Sequence, residues 1–368
     1  MAKKLALNKN GVVTKRINMP DLKVVPTTKA GRRLVRLHKL IVGESPKICI
    51  VRGGGIGDLL MTTPAAKFIK KQYPHVHLTY AVDFHYLDGA LPSVLEGNPY
   101  VDKVVHWKSY DEDDFDAVLN LQCPCVAHER PGAKPISRID LFARHLGIYE
   151  MEDKRPVYVG SAEEDAEVDA WLNSRLHYDS SRHKLLVVSP FSSAGGRSFP
   201  IERMKETLRY VKQVLPEVKV VVCTHDSDFL KDTYWDSVAD AVAHEFKVRK
   251  FASLLSFSRL VLCQDSAALH LCGALDISVL ALFGSTDPRA RVNHYPKAVG
   301  YCPGLKLQCF PCWYNYGNCS HSTCWRLIEP KDVAGIMVNM LTQKPVVSEF
   351  LSLGEKKPPR NRIRTETL

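Results

Sequence analysis

The chain has 368 residues, of which 45% are hydrophobic, so it is long enough for two domains that each bury a core. It has no run of about 18 apolar residues, and its first residues show no apolar segment followed by a cleavage site. We therefore expect no membrane-spanning helix and no secretion, and we place the protein in the cytoplasm. Eleven cysteines are too sparse for a disulfide scaffold of this length.

The net charge of +10 is concentrated at the two ends. Residues 1–45 hold eleven lysines and arginines against two acidic residues, and residues 351–368 hold five against two, which leaves the middle slightly acidic. Basic tails suit a polyanion, either a membrane surface with acidic lipids at the inner face or a nucleic acid. Residues 29–42 mix apolar and basic residues as a basic amphipathic helix does, although the same residues could dock this segment onto the protein.

The first strong element of the body covers residues 47–73. It predicts a buried strand at 48–51, a turn rich in glycine, and a helix that begins near Asp58. Glycines let a ligand approach the backbone, and the start of a helix offers unpaired N–H groups and keeps a carboxylate ionised. The simpler interpretation is that Asp58 only caps the helix. The turn is a weak match to the dinucleotide fingerprint, because the GxGxxG order is not kept.

The rest of the chain alternates strands with helices, which predicts two mainly parallel sheets. In the first half we expect strands at 78–82, 101–107 and 117–121, a helix at 136–146 and a charged bridging helix at 161–176. In the second half we expect strands at 184–188, 218–223, 259–263 and 278–283 and helices at 202–214, 228–245, 267–275 and 331–341. The fold class is therefore α/β, with two Rossmann-like domains facing a cleft, a basic N-terminal extension and a basic C-terminal tail.

Two loops that follow strands of the second half are suited to anions. The first has hydroxyls and free backbone N–H groups at Ser192, Ser193, Gly195 and Gly196, and Arg197 adds a cation. In the second, Asp265 and Ser266 precede a helix whose N-terminus can face a phosphate, with His270 one turn further in. The alternatives are an ordinary polar loop before a helix and a histidine that only packs in the core.

Three segments carry a family resemblance: VRGGGIGDLLMTTPAAKFIKKQYP, SPFSSAGGRSFPIERM and DSAALHLCGALDISVLALFGSTDP. In this order they resemble glycosyltransferase family 9, the lipopolysaccharide heptosyltransferases and their relatives, over most of residues 47–342. The resemblance implies a GT-B fold, with the acceptor held mainly by the first domain and the nucleotide sugar mainly by the second. It also implies inversion at the anomeric carbon without a catalytic metal.

The resemblance assigns roles to particular positions. The general base of the family falls on Asp58, and its basic phosphate-binding residue falls on Arg197. Taken together, the residue patterns and the resemblance assign these positions to the nucleotide sugar: Gly55, Gly57, Ser192, Ser193, Gly195, Arg197, Asp265, Ser266, Ala267 and His270. Ala267 replaces the glycine of the motif D-[ST]-G-x-x-H, and residues 276–278, Asp-Ile-Ser, replace Gly-x-Pro. The acidic residue for the ribose has only Asp226 or Asp228 as candidates.

A cysteine cluster follows, with thiols at Cys309, Cys312, Cys319 and Cys324. Four thiolates this close in sequence could hold a structural zinc ion; free thiols packed as small hydrophobes, or disulfides, are the alternatives. We expect no catalytic role for the cluster.

The sequence thus predicts an extension at 1–45, an acceptor domain at 46–176, a nucleotide-sugar domain at 177–328 that includes the cysteine-rich segment 302–325, and a final helix with the tail at 329–368. The predicted function is an inverting, metal-independent glycosyltransferase that moves a sugar from a nucleotide-diphosphate sugar to a hydroxyl of a glycan acceptor of the lipopolysaccharide-core type. The alternatives are a transferase that modifies hydroxylated bases of DNA or another nucleic acid, and an inactive sugar- or nucleotide-binding protein. The sequence does not indicate an oligomeric state.

Overall fold

The computed structural model describes residues 45–122, 125, 128–129, 133–192, 197–224, 232–244, 246–312, 319 and 322–342, and the backbone of three short strands at 18–24, 35–39 and 350–351. Two of these strands, β1 (Asn18–Val24) and β2 (Val35–Lys39), pair antiparallel ahead of the first domain. The amphipathic helix expected over 29–42 is therefore wrong at 35–39. In that stretch apolar and basic residues alternate with a period of two, which is the strand pattern. Its other residues lie outside the described part of the chain.

The first domain is built on a parallel sheet with the strand order β5-β4-β3-β6. One face of β3 contributes Ile48 and Ile50 to the large core under the helices, and the other contributes Cys49 and Val51 to a small cluster closed by Phe115. Its elements are β3 (Lys47–Val51), α1 (Ile56–Gln72), β4 (His77–Val82), α2 (Ala90–Leu95), β5 (Lys103–His106), β6 (Ala117–Asn120) and α3 (Arg138–His145).

Helix α1 tolerates an internal proline, Pro64. Proline lacks the N–H that would bond to the carbonyl of Leu60. The hydroxyl of Thr63 donates to that carbonyl instead, at 2.7 Å, and also accepts a bond from the backbone N–H of Val157 at 2.7 Å. The Thr-Pro pair thus keeps the helix continuous and ties it to the segment that leads toward the second domain.

Helix α4 (Ala162–Leu176) was predicted as the bridge between the halves, and it starts with a capping box between Ser161 and Glu164. It packs against a helix of the second domain, α7 (Val248–Phe257). Val168, Leu172 and Leu176 of α4 are buried in the large core, which runs through both domains.

The second domain has a parallel sheet with the strand order β13-β12-β11-β10-β7-β8-β9. Its helix α10 packs on α5, and the two share a second core with the sheet. Besides α7, its elements are β7 (Lys184–Val188), α5 (Ile201–Val214), β8 (Val218–Cys223), α6 (Asp232–Trp235), β9 (Ala241–Ala243), β10 (Leu260–Gln264), α8 (Ala267–Leu275), β11 (Val279–Leu282), β12 (Ala298–Tyr301), α9 (Thr323–Arg326), α10 (Pro330–Thr342) and β13 (Phe350–Leu351).

The helix predicted at 228–245 is wrong. Among the described residues of this stretch, 232–244, only α6 is helical, and β9 extends the sheet parallel to β8. The physical reason lies at Asp240, whose carboxylate accepts from the backbone N–H of Val220 at 2.7 Å and from Lys212 at 2.9 Å. These bonds fix the chain beside β8, so the short apolar run that follows adds a strand. The strand β12 and the helices α2 and α7 were not predicted.

In both sheets the strand order reverses at the same position, between the first and the fourth strand of the domain. Numbered within its own domain, the first sheet has the order 3-2-1-4 and the second, apart from β13, the order 3-2-1-4-5-6. In such sheets a crevice opens beyond the carboxyl ends of strands 1 and 4, where ligands bind. Those strands are β3 and β6 in the first domain and β7 and β10 in the second. No helix in the described part of the chain is long and apolar enough to cross a membrane.

Candidate active site between the two domains

The site forms where the N-terminus of α1 meets the N-terminus of α8. Gly55 caps α1 with a φ of 81°, a left-handed conformation that favours glycine. Gly57 lies in the first turn and packs directly on His270 of α8, since a Cβ on Gly57 would be 2.2 Å from the imidazole Cδ2. Two predicted site residues from opposite domains are therefore in contact.

Asp58 is held by two arginines of its own domain. Its carboxylate pairs with Arg52, at the end of β3, and with Arg138, at the start of α3. Burial works to raise the pKa of Asp58, but the guanidinium groups of Arg138, Arg52 and Arg291 outweigh it and hold the pKa below its ordinary value. Asp58 is therefore an ionised carboxylate with a low affinity for protons.

Arg138 continues the ion pairs toward the second domain. Its Nε and second guanidinium nitrogen donate to the two oxygens of Glu129 at 2.6 and 2.7 Å. The same two oxygens accept from Arg291 at 2.8 and 3.3 Å, and Arg291 donates to Asp265 at 3.2 Å. Alternating charges thus run without interruption from one domain to the other. We call this set the ionic network: Arg52, Asp58, Arg138, Glu129, Arg291, Asp265 and Arg197.

Arg197 and Asp265 form the end of the network that lies in the second domain. Arg197 donates to the backbone carbonyl of Asp265 at 3.3 Å and lies 3.5 Å from its carboxylate. Burial works to raise the pKa of Asp265, but Arg291, Arg197 and His270 lower it to about 2. Asp265 is only 4% exposed, so its main effect is to orient these two arginines.

The start of α8 lacks a side-chain cap. Ser266 is the N-cap residue, yet its side chain makes no capping bond, and its buried hydroxyl has no hydrogen-bond partner among the described residues. The first N–H groups of α8, beginning at Ala267, have the arrangement that binds phosphate at helix N-termini. Ser192 lies on the neighbouring loop, where its backbone N–H bonds to the hydroxyl of Ser198 at 3.1 Å. Ser193, Gly195, Asp226 and Asp228 lie outside the described residues.

His270 is neutral at physiological pH. Burial lowers its pKa to about 4 in spite of the attraction of Asp265. Its Nδ1 lies 2.8 Å from the hydroxyl of Tyr295, whose ring covers Gly273 on the same helix. Burial also keeps the pKa of Tyr295 well above its ordinary value, so this hydroxyl is protonated. His270 therefore serves in the contact between the domains as a packed, uncharged ring.

The sequence missed several residues of this site. They are Arg52, Tyr86, Glu129, Arg138, Arg291 and Tyr295. Tyr86 lies near Gly54 in the glycine turn, and its pKa is raised by burial and by Asp58. Arg52 was within reach of sequence reasoning, because it directly follows a predicted strand. The other positions have no local pattern, because their partners are far away in the sequence.

The four clustered cysteines form no disulfide. Burial raises the pKa of the Cys312 and Cys324 thiols, to about 11 for Cys324, and the neighbouring thiols contribute in the same direction. Among the described residues, no group of three or more His, Cys, Asp or Glu side chains is arranged to hold a metal ion. The zinc site stays a prediction.

The comparisons with known proteins agree with this geometry. The family model described as Glycosyltransferase family 9 (heptosyltransferase) matches residues 134–315. The lipopolysaccharide core heptosyltransferase OpsX of Haemophilus influenzae is 23% identical over 292 residues, which cover 67% of this chain and 81% of that protein.

Solved structures share the fold at low sequence identity. A family 9 glycosyltransferase from Veillonella parvula has a TM-score of 0.66 at 16% identity, over 83% of this chain and 99% of that one. The ADP-heptose lipopolysaccharide heptosyltransferase II of E. coli has a TM-score of 0.55 at 15% identity, over 80% and 98%. The iron-containing heptosyltransferase TibC of E. coli, solved with ADP-D-beta-D-heptose, has a TM-score of 0.59 at 14% identity, over 90% and 86%. This chain is therefore similar to glycosyltransferase family 9 over residues 134–315, and it shares the fold of solved family 9 structures.

Proposed function

We propose that this chain transfers a sugar, with inversion, from a nucleoside-diphosphate sugar to a hydroxyl of a glycan acceptor. The observation that carries the proposal is that Asp58 and the N-terminus of α8 lie on opposite sides of one interdomain contact, within the ionic network. This geometry supplies a proton acceptor for the attacking hydroxyl and an anion site for the leaving diphosphate.

Asp58 is the proposed general base, and its ion pairs define how it acts. A carboxylate with a depressed pKa removes a proton from a sugar hydroxyl only once bond formation has made that hydroxyl acidic. Arg52 and Arg138 fix both oxygens, so the carboxylate keeps one orientation before the acceptor arrives. Proton transfer is therefore expected late in the reaction.

The leaving group is stabilised on the side of the second domain. Arg197 and the hydroxyl of Ser266 lie at the start of α8, where the helix dipole favours negative charge. We assign the diphosphate to this position and the sugar to the space between it and Asp58. This arrangement uses no metal ion for the transfer step, and metal independence is part of the proposal.

The donor and acceptor classes rest on the relatives. The TibC structure contains ADP-D-beta-D-heptose, and OpsX is described as acting on the lipopolysaccharide core. We therefore propose an ADP-heptose type donor and an acceptor of the lipopolysaccharide-core type. Binding of anionic membranes or nucleic acid by the basic tails stays a prediction, because most of both tails lies outside the described residues.

The experiment is a screen of nucleotide sugars in two steps. A donor that binds only the native protein raises its melting temperature. At a donor concentration of a hundred times Kd, the free energy of unfolding increases by about 2.7 kcal/mol. A donor selected in this way is then incubated with lipopolysaccharide-core acceptors, and product is followed by mass spectrometry. The proposal would be contradicted if no nucleotide sugar stabilised the protein and no sugar were transferred.

The cysteine cluster is a separate question. Because TibC is described as iron-containing, we extend the prediction for Cys309, Cys312, Cys319 and Cys324 from zinc to zinc or iron. Metal analysis of protein purified without chelators decides it. Less than a tenth of an equivalent of either metal would leave the four as free thiols.

A further inference from the structure

Glu129 is the member of the ionic network that joins the two domains. It follows β6 in the first domain and is only 6% exposed. Each of its oxygens accepts from two guanidinium groups, one from Arg138 of the first domain and one from Arg291 of the second. Charged hydrogen bonds of this bidentate kind fix both distance and orientation. A single carboxylate therefore sets the relative position of two buried arginines.

These two arginines also hold the two carboxylates of the site. Arg138 pairs with Asp58, the proposed base, and Arg291 bonds to Asp265 beside the proposed diphosphate position. Arg138 and Arg291 repel one another. Burial and the charge of Arg138 both work to lower the pKa of Arg291, but Asp265 and Glu129 outweigh them and raise it. Glu129 offsets this repulsion. Without its negative charge, two buried cations would face each other across the domain boundary.

The crevice beside Glu129 also contains a second carboxylate, Asp287. Glu129 and Arg291 line a narrow crevice of about 10 Å³ between the two domains, together with His128, Asp287 and Pro311. Asp287 is itself engaged, since its two oxygens accept from the backbone and side chain of Arg289. It is therefore not available to replace Glu129 as the partner of Arg291.

We propose that Glu129 is a positioning residue for the transfer reaction. It holds the two domains together and aligns Asp58 with the diphosphate position. The inference rests on the proposed function. Glu129 touches neither substrate in this scheme and acts through Arg138 and Arg291. Its loss shifts one reactive group relative to the other, and a shift of about 1 Å is enough to cost roughly two orders of magnitude in rate.

The test compares three variants with the full-length wild type. Glu129→Gln keeps the shape and removes the charge, and Glu129→Asp keeps the charge but shortens the reach. Asp140→Asn is the matched control. Asp140 lies two residues after Arg138 in α3 and also makes an interdomain contact, with His294 at 3.0 Å, but it is outside the ionic network. The measurements are kcat and KM for transfer, the Kd for ADP, and hydrogen–deuterium exchange without ligand.

We expect Glu129→Gln to lower kcat by about 10- to 100-fold while the Kd for ADP stays within about threefold. Exchange should rise on both sides of the boundary, in residues 138–145 and in residues 288–295. Glu129→Asp should show the same pattern with smaller changes, and it carries the test if Glu129→Gln does not fold. Asp140→Asn should keep kcat within about threefold of wild type.

Two results would overturn the inference. One is a kcat for Glu129→Gln within about threefold of wild type; the other is an increase in exchange confined to the first domain, which is the result of a merely local structural role. If the wild type neither binds ADP nor transfers a sugar, the proposed function fails. The exchange experiment requires no substrate, so it still decides whether Glu129 holds the two domains together.

Discussion

The backbone of Gly57 lies directly against the ring of His270, so that α1 and α8 meet at their N-termini. A Cβ at position 57 would be 2.2 Å from Cδ2 of His270 and 2.9 Å from its Nε2, closer than real side chains approach. The imidazole is buried and its other nitrogen is held by Tyr295, so the ring has no space to move away. Glycine at position 57 therefore sets the distance between the two halves of the site.

Gly57→Ala should separate the two helices. We expect a loss of stability of about 1–3 kcal/mol, which is typical of overpacking, and a fall in kcat of at least about tenfold, because the proposed base and the diphosphate position move apart. Gly335→Ala is the matched control, since Gly335 lies in α10 with nothing within 4 Å of its added Cβ. That control should stabilise the protein by about 0.5–1 kcal/mol. Denaturant unfolding and initial rates of both variants measure these effects.

Removing the proposed base should affect turnover more than donor binding. Asp58→Asn keeps the shape of the side chain but cannot accept the proton, so kcat should fall by about two to four orders of magnitude. The Kd for the donor should change by less than about threefold, because the proposed diphosphate position is on α8. Arg197→Ala should show the opposite pattern, with weaker donor binding as its main effect. Equal turnover of Asp58→Asn and wild type would remove Asp58 from this role.

The strong elements of the fold were predictable because their signal is local. The strands β3, β7 and β8 and the helix α8 have continuous apolar runs or clear helical periods, and the structure has them within a residue or two of the predicted bounds. The segment 228–245 has no such pattern. There, the pairing of Asp240 with Val220 decides the conformation, and that bond joins residues 20 positions apart.

Only part of the site has a local sequence signal, so only that part was predictable. The start of α8, with Asp265, Ser266 and His270, stands out as a strand followed by polar residues and a helix. Glu129 and Arg291 are 162 positions apart, and no spacing in the sequence connects them. Their role follows from the topology. Glu129 follows β6, which ends at the crossover point of the first sheet, and Arg291 follows β11, which pairs with the crossover strand β10 of the second. Contacts between domains therefore have to be read from the structure.

The ion pairs of Asp58 predict the pH dependence of transfer. Arg138, Arg52 and Arg291 hold the pKa of Asp58 below its ordinary value, so Asp58 is ionised between about pH 5 and 8. Protonation of Asp58 should therefore not lower the rate in this range. Arg52→Gln removes one of these cations and should raise the pKa of Asp58, which moves the acidic limb of the kcat profile to higher pH. The control is Arg182→Gln, since the Arg182 side chain is 82% exposed and pairs with nearby Asp179 in the loop before β7. An unchanged acidic limb in Arg52→Gln would contradict this account.

His270 predicts a loss of stability in mild acid. Its pKa is about 4 in the folded protein, because burial disfavours the charged ring, and about 6.5 when the chain unfolds. Between these values the unfolded chain binds more protons than the folded one, so the free energy of unfolding falls as the pH is lowered from about 6.5 to about 4, by on the order of 2 kcal/mol. His270→Asn places an amide near the position of Nδ1, where it can still bond to Tyr295, and removes the titration.

The test of this prediction is urea unfolding at a series of pH values. Wild type and the exposed control His85→Gln should show the same loss of stability between pH 6.5 and 4.5, whereas His270→Asn should show a smaller one. The carboxylates of Asp265 and Asp140, each with a pKa near 2, contribute stability that is lost only as the pH falls from about 4 toward 2. Their effect is therefore separated in pH from that of His270. A wild-type stability that does not change between pH 6.5 and 4.5 would mean that the ring of His270 is protonated, or able to leave its site, in the folded protein.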